Sequence, residues 1–154
     1  MFRNCVNLQQ ISKIAFPNTK QFTAINANYN AFIDIGKTNA TGKVIINYLD
    51  FGKALSINKN NITNSAYGNM FTFGGSPTPV KINFQCDIGT AIEKTGWFNN
   101  IKGLPDVETL NSFADHALTL DSAYTLKVSK NIYSIFTSEI LAKLSAKNWT
   151  IASA

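Results

Sequence analysis

Met1-Phe2-Arg3-Asn4-Cys5-Val6-Asn7-Leu8-Gln9-Gln10-Ile11 opens the chain, and Trp97-Phe98-Asn99-Asn100-Ile101-Lys102-Gly103-Leu104-Pro105-Asp106-Val107 repeats its pattern. Each stretch runs large apolar residue, Phe, any residue, Asn, a small or branched apolar residue, two more, Leu, two more, then Ile or Val. Phe2 matches Phe98, Asn4 matches Asn100 and Leu8 matches Leu104 in one register. Met70-Phe71 gives a fainter third match. The pattern suits stacked turns of chain. Phe and Leu supply a shared core, and the Asn amide satisfies turning backbone groups that stacking leaves unpaired. The expected architecture is a solenoid of short β-strands.

The segments between are consistent with this. Lys43–Leu49 is rich in branched and aromatic residues, and Val80–Cys86 alternates strictly, with Lys81, Asn83 and Gln85 opposite four apolar side chains. Both read as strands. Ala117–Leu120 and Thr125–Ser129 alternate in the same way. One helix is predicted, with Thr137 as N-cap, Glu139 in its first turn, and a stripe of Phe136, Ile140, Leu141 and Leu144. Asn148 supplies a left-handed stop before a final strand, Trp149–Ala152. Gly74-Gly75-Ser76-Pro77-Thr78-Pro79 is the clearest loop.

The unit Met1–Ile11 resembles that of BspA-like leucine-rich repeats, found in bacterial surface proteins and in phage tail or fibre proteins. Ala117–Leu120, Thr137–Leu141 and Lys147–Ile151 resemble the segment that closes many such arrays, with Asn148 where that segment has Gly. The resemblance implies an α/β fold: a leucine-rich-repeat-like solenoid of short strands with irregular loops and a C-terminal helix–strand cap. The whole chain, 1–154, is expected to be one such domain, irregular or elaborated over 17–96 and closing with a C-terminal repeat and cap over 97–154. Residues 17–96 depart from the family's spacing of roughly 20–29 residues. Met1-Phe2 stands at the start of a unit with no polar cap before it. The expectation is therefore that the chain is a C-terminal piece of a longer protein, or docks its N-terminal edge on a partner.

Composition narrows the function. The chain has 154 residues, 45% of them hydrophobic and only 15% charged, so solubility rests on neutral polar groups, including 19 asparagines. No apolar run is long enough to span a membrane. Arg3, Asn4, Gln9, Gln10 and Lys13 break up the first residues, which do not read as a signal peptide. The net charge is +5, but the lysines are scattered and Arg3 is the one arginine, so nucleic-acid binding is not expected.

Catalytic groups are few. His116 is the sole histidine, which excludes a multi-histidine metal site, and it follows Asp115 in what reads as an extended segment. Cys5 and Cys86 read as small buried thiols. No pair of carboxylates falls in a glycosidase or calcium-loop pattern, and Asp106-Val107-Glu108 reads as a turn. No catalytic residue, metal or cofactor is expected. Tyr29, Tyr48, Tyr67, Tyr124 and Tyr133, set among amides and hydroxyls, are the candidate binding residues; Trp97 and Trp149 are expected in the core. The resemblance implies a non-enzymatic structural or recognition module: a virion component (tail, fibre or head appendage) binding protein subunits or a host-surface receptor or glycan as an oligomer. A bacterial cell-surface adhesin is the alternative, and a carbohydrate-active enzyme the second.

Overall fold

The computed structural model describes residues 2, 4–20, 32, 34–62, 70–71, 73, 79–99 and 103–154. It is a mixed helix-and-strand fold with two small sheets. The first sheet holds β1 (Gln10–Ile11), β2 (Ile14–Ala15), β3 (Val44–Asp50) and β4 (Val80–Phe84), and every pairing in it is parallel. β1 and β2 pair in tandem along β3: Ile11 faces Ile46 and Leu49 faces Ile14, while Ile46 faces Ile82 on the other side. Strand formation follows the alternation. Val80, Ile82 and Phe84 are buried, whereas Asn83 is exposed and Lys81 half-buried.

Parallel strands cannot be joined by tight hairpins, and long stretches of chain separate β2 from β3 and β3 from β4. Short 3-10 segments follow β3 and β4, at Gly52–Ala54, Lys59–Asn61 and Thr90–Thr95. Chain reversals use left-handed backbone at Asn4 (φ 60°) and Asp34 (φ 55°), two residues after Phe2 and Phe32 respectively. Short polar side chains tolerate that conformation best after glycine. Gly36 (φ 63°) completes the second turn, and a Cβ there would come within 2.7 Å of the Leu8 carbonyl oxygen. Its N–H donates to the Cys5 carbonyl at 2.9 Å, tying one turn to the next.

The C-terminal region follows the predicted order. β5 (Tyr124–Val128) leads into a short α2 (Lys130–Tyr133), then α3 (Ser138–Ser145) and β6 (Trp149–Ser153), which pairs in parallel with β5. Thr137 caps α3 by accepting from the Ile140 N–H, and Ile140 and Leu144 are buried. Asn148 is left-handed at φ 65°, and its amide donates to the Leu120 carbonyl at 2.6 Å.

A helix not predicted, α1 (Val107–His116), precedes these elements. Asp106, read as part of a turn, is its N-cap and accepts from the Thr109 N–H at 2.8 Å. Leu110, Phe113 and Ala114 form its buried stripe. Asp115 and His116 therefore close a helix rather than lie in an extended segment, and Ala117 makes an isolated parallel bridge to Ile88.

α1 lies where the sheet would continue. Its Thr109 hydroxyl accepts from the Ile82 N–H at 2.8 Å, and its Ser112 hydroxyl accepts from the Phe84 N–H at 2.9 Å. These two side chains stand in for a strand's carbonyls and cover an edge that would otherwise be open to further pairing. Strand-like contact resumes on either side of the helix, at Val80–Pro105 and Ile88–Ala117.

One apolar core runs through all of this, with rings along its length. Phe2 stacks on Phe32 (6.0 Å between centroids), and Phe32 on Phe71 (5.6 Å). Phe71 meets Phe84 edge-on, followed by Trp97, Phe113, Trp149 and Tyr124, each in contact with the one before. Trp97 and Trp149 are 0% and 1% exposed, as expected of core residues. The Trp149 indole N–H donates to the Leu118 carbonyl at 2.8 Å.

The long-range side-chain hydrogen bonds share a common reach. Among the described residues they join positions between 27 and 37 apart, from Lys81–Glu108 and Ile82–Thr109 at the short end to Cys86–Leu49 at the long end. Each stretch of chain is tied to the stretch one crossover away.

Candidate binding surface

The outward side of the first sheet is polar. Gln10, Ile45 and Lys81 stand in one register row, with Asn47 and Asn83 further along β3 and β4. Parallel sheets are ordinarily covered on both faces, so exposed amides here are a departure that leaves side chains open to solvent. α1 forms a wall beside this face. Between them lies a groove of about 560 Å³ lined by Asn47, Lys81, Asn83, Glu108, Asn111, Ser112, Asp115 and His116.

Most of those groups already hold one another. Lys81 pairs with Glu108. Lys143 reaches from α3 to Asn111 at 2.8 Å and Asp115 at 2.9 Å. Ser112 donates to the Asn83 side chain, and Gln85 donates to the same oxygen at 3.2 Å. The His116 Nδ1 lies 2.9 Å from the Ser112 carbonyl; a carbonyl only accepts, so Nδ1 carries the proton. Helical spacing puts Glu108 and Asp115 on one side of α1, two turns or about 10 Å apart along the axis.

A second cleft, of about 380 Å³, lies where three successive stretches of chain meet. Asn58, Lys59, Asn60, Thr90 and residues 118–124 line it. The Asn58 side chain caps the turn Lys59–Asn61 by accepting from the Asn60 N–H, which fixes the cleft's near wall. On its far side Tyr124 begins β5, its edge against Trp149 at 5.3 Å. Lys59 Nζ sits 4.8 Å from the Tyr124 ring centroid and 2.8 Å from Glu93, and the Tyr124 hydroxyl donates to the same carboxylate. This triad clamps three stretches together. It is part-exposed, so its ion pair adds modestly to stability. A smaller hollow of about 320 Å³, lined by Lys59, Glu93, Asn99, Thr125 and Lys127, opens beside it.

Three of the predicted tyrosines, Tyr48, Tyr124 and Tyr133, are among the described residues. Tyr124 lines the second cleft. Tyr48 is half-buried on β3 beneath Lys13, whose Nζ is 4.7 Å from its ring centroid. Tyr133 is 38% exposed on α2. Among the described residues these three share no ring contact, and Tyr29 and Tyr67 lie outside the described residues. The polar groups of both clefts escaped the sequence reading, because they come from stretches about 30 positions apart; the amide-rich run Asn58-Lys59-Asn60-Asn61 was the one local signal.

Cys5 is half-buried, and Cys86 is buried with Phe51 N donating to its sulfur at 3.5 Å. Burial pushes the Cys86 thiol above its ordinary range, opposed by that hydrogen bond and reinforced by Asp50 and Asp87. The folded thiol stays neutral at a pH where the unfolded one ionises. Its contribution to stability is full below the ordinary thiol range and is lost as pH rises through the folded value. In mildly alkaline buffer, a thiol reagent is expected to modify Cys86 at least tenfold more slowly in the native protein than in urea, and peptide mapping reads this directly.

Among the described residues no group of three His, Cys, Asp or Glu side chains could hold a metal ion, and no helix is long and apolar enough to cross a membrane. No family model, curated protein or solved structure matches the chain.

Proposed function

We propose that the chain is a non-enzymatic recognition module, a leucine-rich-repeat-like solenoid that presents polar side chains to a protein or a host-surface receptor. The supporting observation is the common reach of its long-range ties, 27–37 residues, combined with strand pairing that is parallel throughout. Such a pattern is what stacked turns produce, since each contacts only its neighbours. In this reading β5, α3 and β6 form the closing cap, and the exposed face of the first sheet is the presenting surface. The setting rests on the resemblance of Met1–Ile11 and Ala117–Ile151 to BspA-like repeats. It is a phage virion component, with a bacterial cell-surface adhesin as the alternative.

The hydrolase reading is the second alternative. Glycoside hydrolysis needs carboxyl groups roughly 5–9.5 Å apart with one of them free to protonate. In the larger groove Glu108 and Asp115 are each paired with a lysine.

Recognition by weak contacts gains strength through multivalency. Light scattering is expected to give a multiple of 16.9 kDa, and labelled oligomer is expected to bind intact bacterial cells of susceptible strains saturably. A monomer at high concentration that binds no cell in a broad panel overturns the reading.

A further inference from the structure

The two clefts differ in what their polar groups are already doing. In the larger groove the charged and amide side chains are largely engaged with each other. In the cleft beside Tyr124 a set of hydrogen-bonding groups is left over. Asp121, Asn60, Thr119 and Ser122 line it, and among the described residues none of these four side chains has a hydrogen-bond or ion-pair partner. The cleft's lysine is held by Glu93, outside the lining, so its charge is already balanced. Leu118, Leu120 and the Tyr124 ring add an apolar patch to the same opening.

We propose that this cleft is a binding site for a neutral glycan. A sugar ring has apolar C–H faces and a rim of vicinal hydroxyls. Leu118, Leu120 and Tyr124 offer a surface for the former. The Asp121 carboxylate accepts from two neighbouring hydroxyls, while the Asn60 amide both donates and accepts. Charge-assisted bonds of that kind are about twice as strong as neutral ones. An anionic sugar would bring its carboxylate against Asp121, whereas an uncharged one meets no such penalty. The volume, about 380 Å³, is at the small end of ligand sites, with room for a short oligosaccharide segment rather than a folded partner. The site stays in shape without ligand, because the Lys59–Glu93–Tyr124 clamp and the Asn58 cap fix its walls independently of the four groups that would bind.

This site rests on the recognition reading above and names its ligand class. The test is a titration of isotope-labelled protein with chitotriose, maltotriose and a glucuronate-containing trisaccharide, followed by amide shifts. One of the neutral sugars is expected to shift residues 58–60, 90 and 118–124 saturably, with the anionic one at least tenfold weaker. Asp121→Ala and Asn60→Ala, both at exposed positions, are each expected to weaken binding about tenfold while leaving the unfolding midpoint unchanged. Absence of any saturable shift in this cleft overturns the inference, as does binding by both variants as tight as that of the unsubstituted protein. Cell binding that persists after periodate cleavage of surface diols, without cleft shifts, overturns the glycan site and leaves the recognition reading standing.

Discussion

Phe71→Ala is expected to lower the unfolding free energy by about 4 kcal/mol, the middle of the range for a phenylalanine emptied from a packed core. Phe71 is 0% exposed and its ring contacts Phe32, Phe51, Phe73 and Phe84. Phe32 belongs to the N-terminal stretch and Phe84 to β4, so the truncation interrupts the ring series midway along the core. Each ring pair adds about 0.5–1.5 kcal/mol beyond area burial, which places this position above an isolated core phenylalanine. Phe16→Ala is the contrast. Phe16 is 42% exposed and stacks on Phe51, and its loss is expected to cost about 1 kcal/mol. Urea unfolding with unchanged slope measures both. A cost below about 2 kcal/mol for Phe71→Ala would mean that the ring series does not carry the core.

Thr109→Val should cost about 3 kcal/mol although it conserves shape. The Thr109 side chain is fully buried. Its hydroxyl accepts from the Ile82 N–H at 2.8 Å and lies 2.7 Å from an Asp106 carboxylate oxygen and 3.2 Å from the Val80 carbonyl. A single hydroxyl proton serves one of the latter two. Valine leaves the Ile82 N–H without an acceptor, a buried loss of about 1–3 kcal/mol, and removes the hydroxyl's bond to the Asp106 carboxylate, which keeps the Thr109 N–H. Thr109→Ser keeps the hydroxyl and is expected to cost about 1 kcal/mol, through the missing methyl alone. Hydrogen exchange offers a second readout, since the Ile82 amide should lose protection in the valine variant ahead of its neighbours in β4. Equal stability of the valine and serine variants would refute the role of α1 as a side-chain substitute for a strand.

Local chemistry was legible where one segment carries its own signal. The alternation of Val80–Cys86 gave a strand with the expected buried face, and Thr137, the Ile140–Leu144 stripe and Asn148 gave a cap, a helix and a left-handed stop. α1 was legible in principle. Asp106 followed by Glu108, with Leu110, Phe113, Ala114 and Ala117 at helical spacing, is a start signal and a stripe. The short alternation of Ala117–Leu120 masked it, and four residues are too few for period alone to decide. Among the candidate site residues, Tyr124 lines a cleft, while Tyr48 and Tyr133 stand apart from it and from each other.

What the sequence determined by itself was therefore periodic or local: which faces are apolar, where helices begin and turns reverse, and that amides rather than charges cover the surface. These follow from backbone sterics and from the separation of apolar groups from water, which act over a few residues. Tertiary structure decided what depends on pairs about 30 residues apart. It set the parallel register of β1 to β4 and the use of Thr109 and Ser112 as an edge for β4. It also separated polar groups that hold each other from those left open beside Tyr124. Whether an asparagine or aspartate is engaged depends on which crossover brings a partner to it, and no spacing along the chain encodes that.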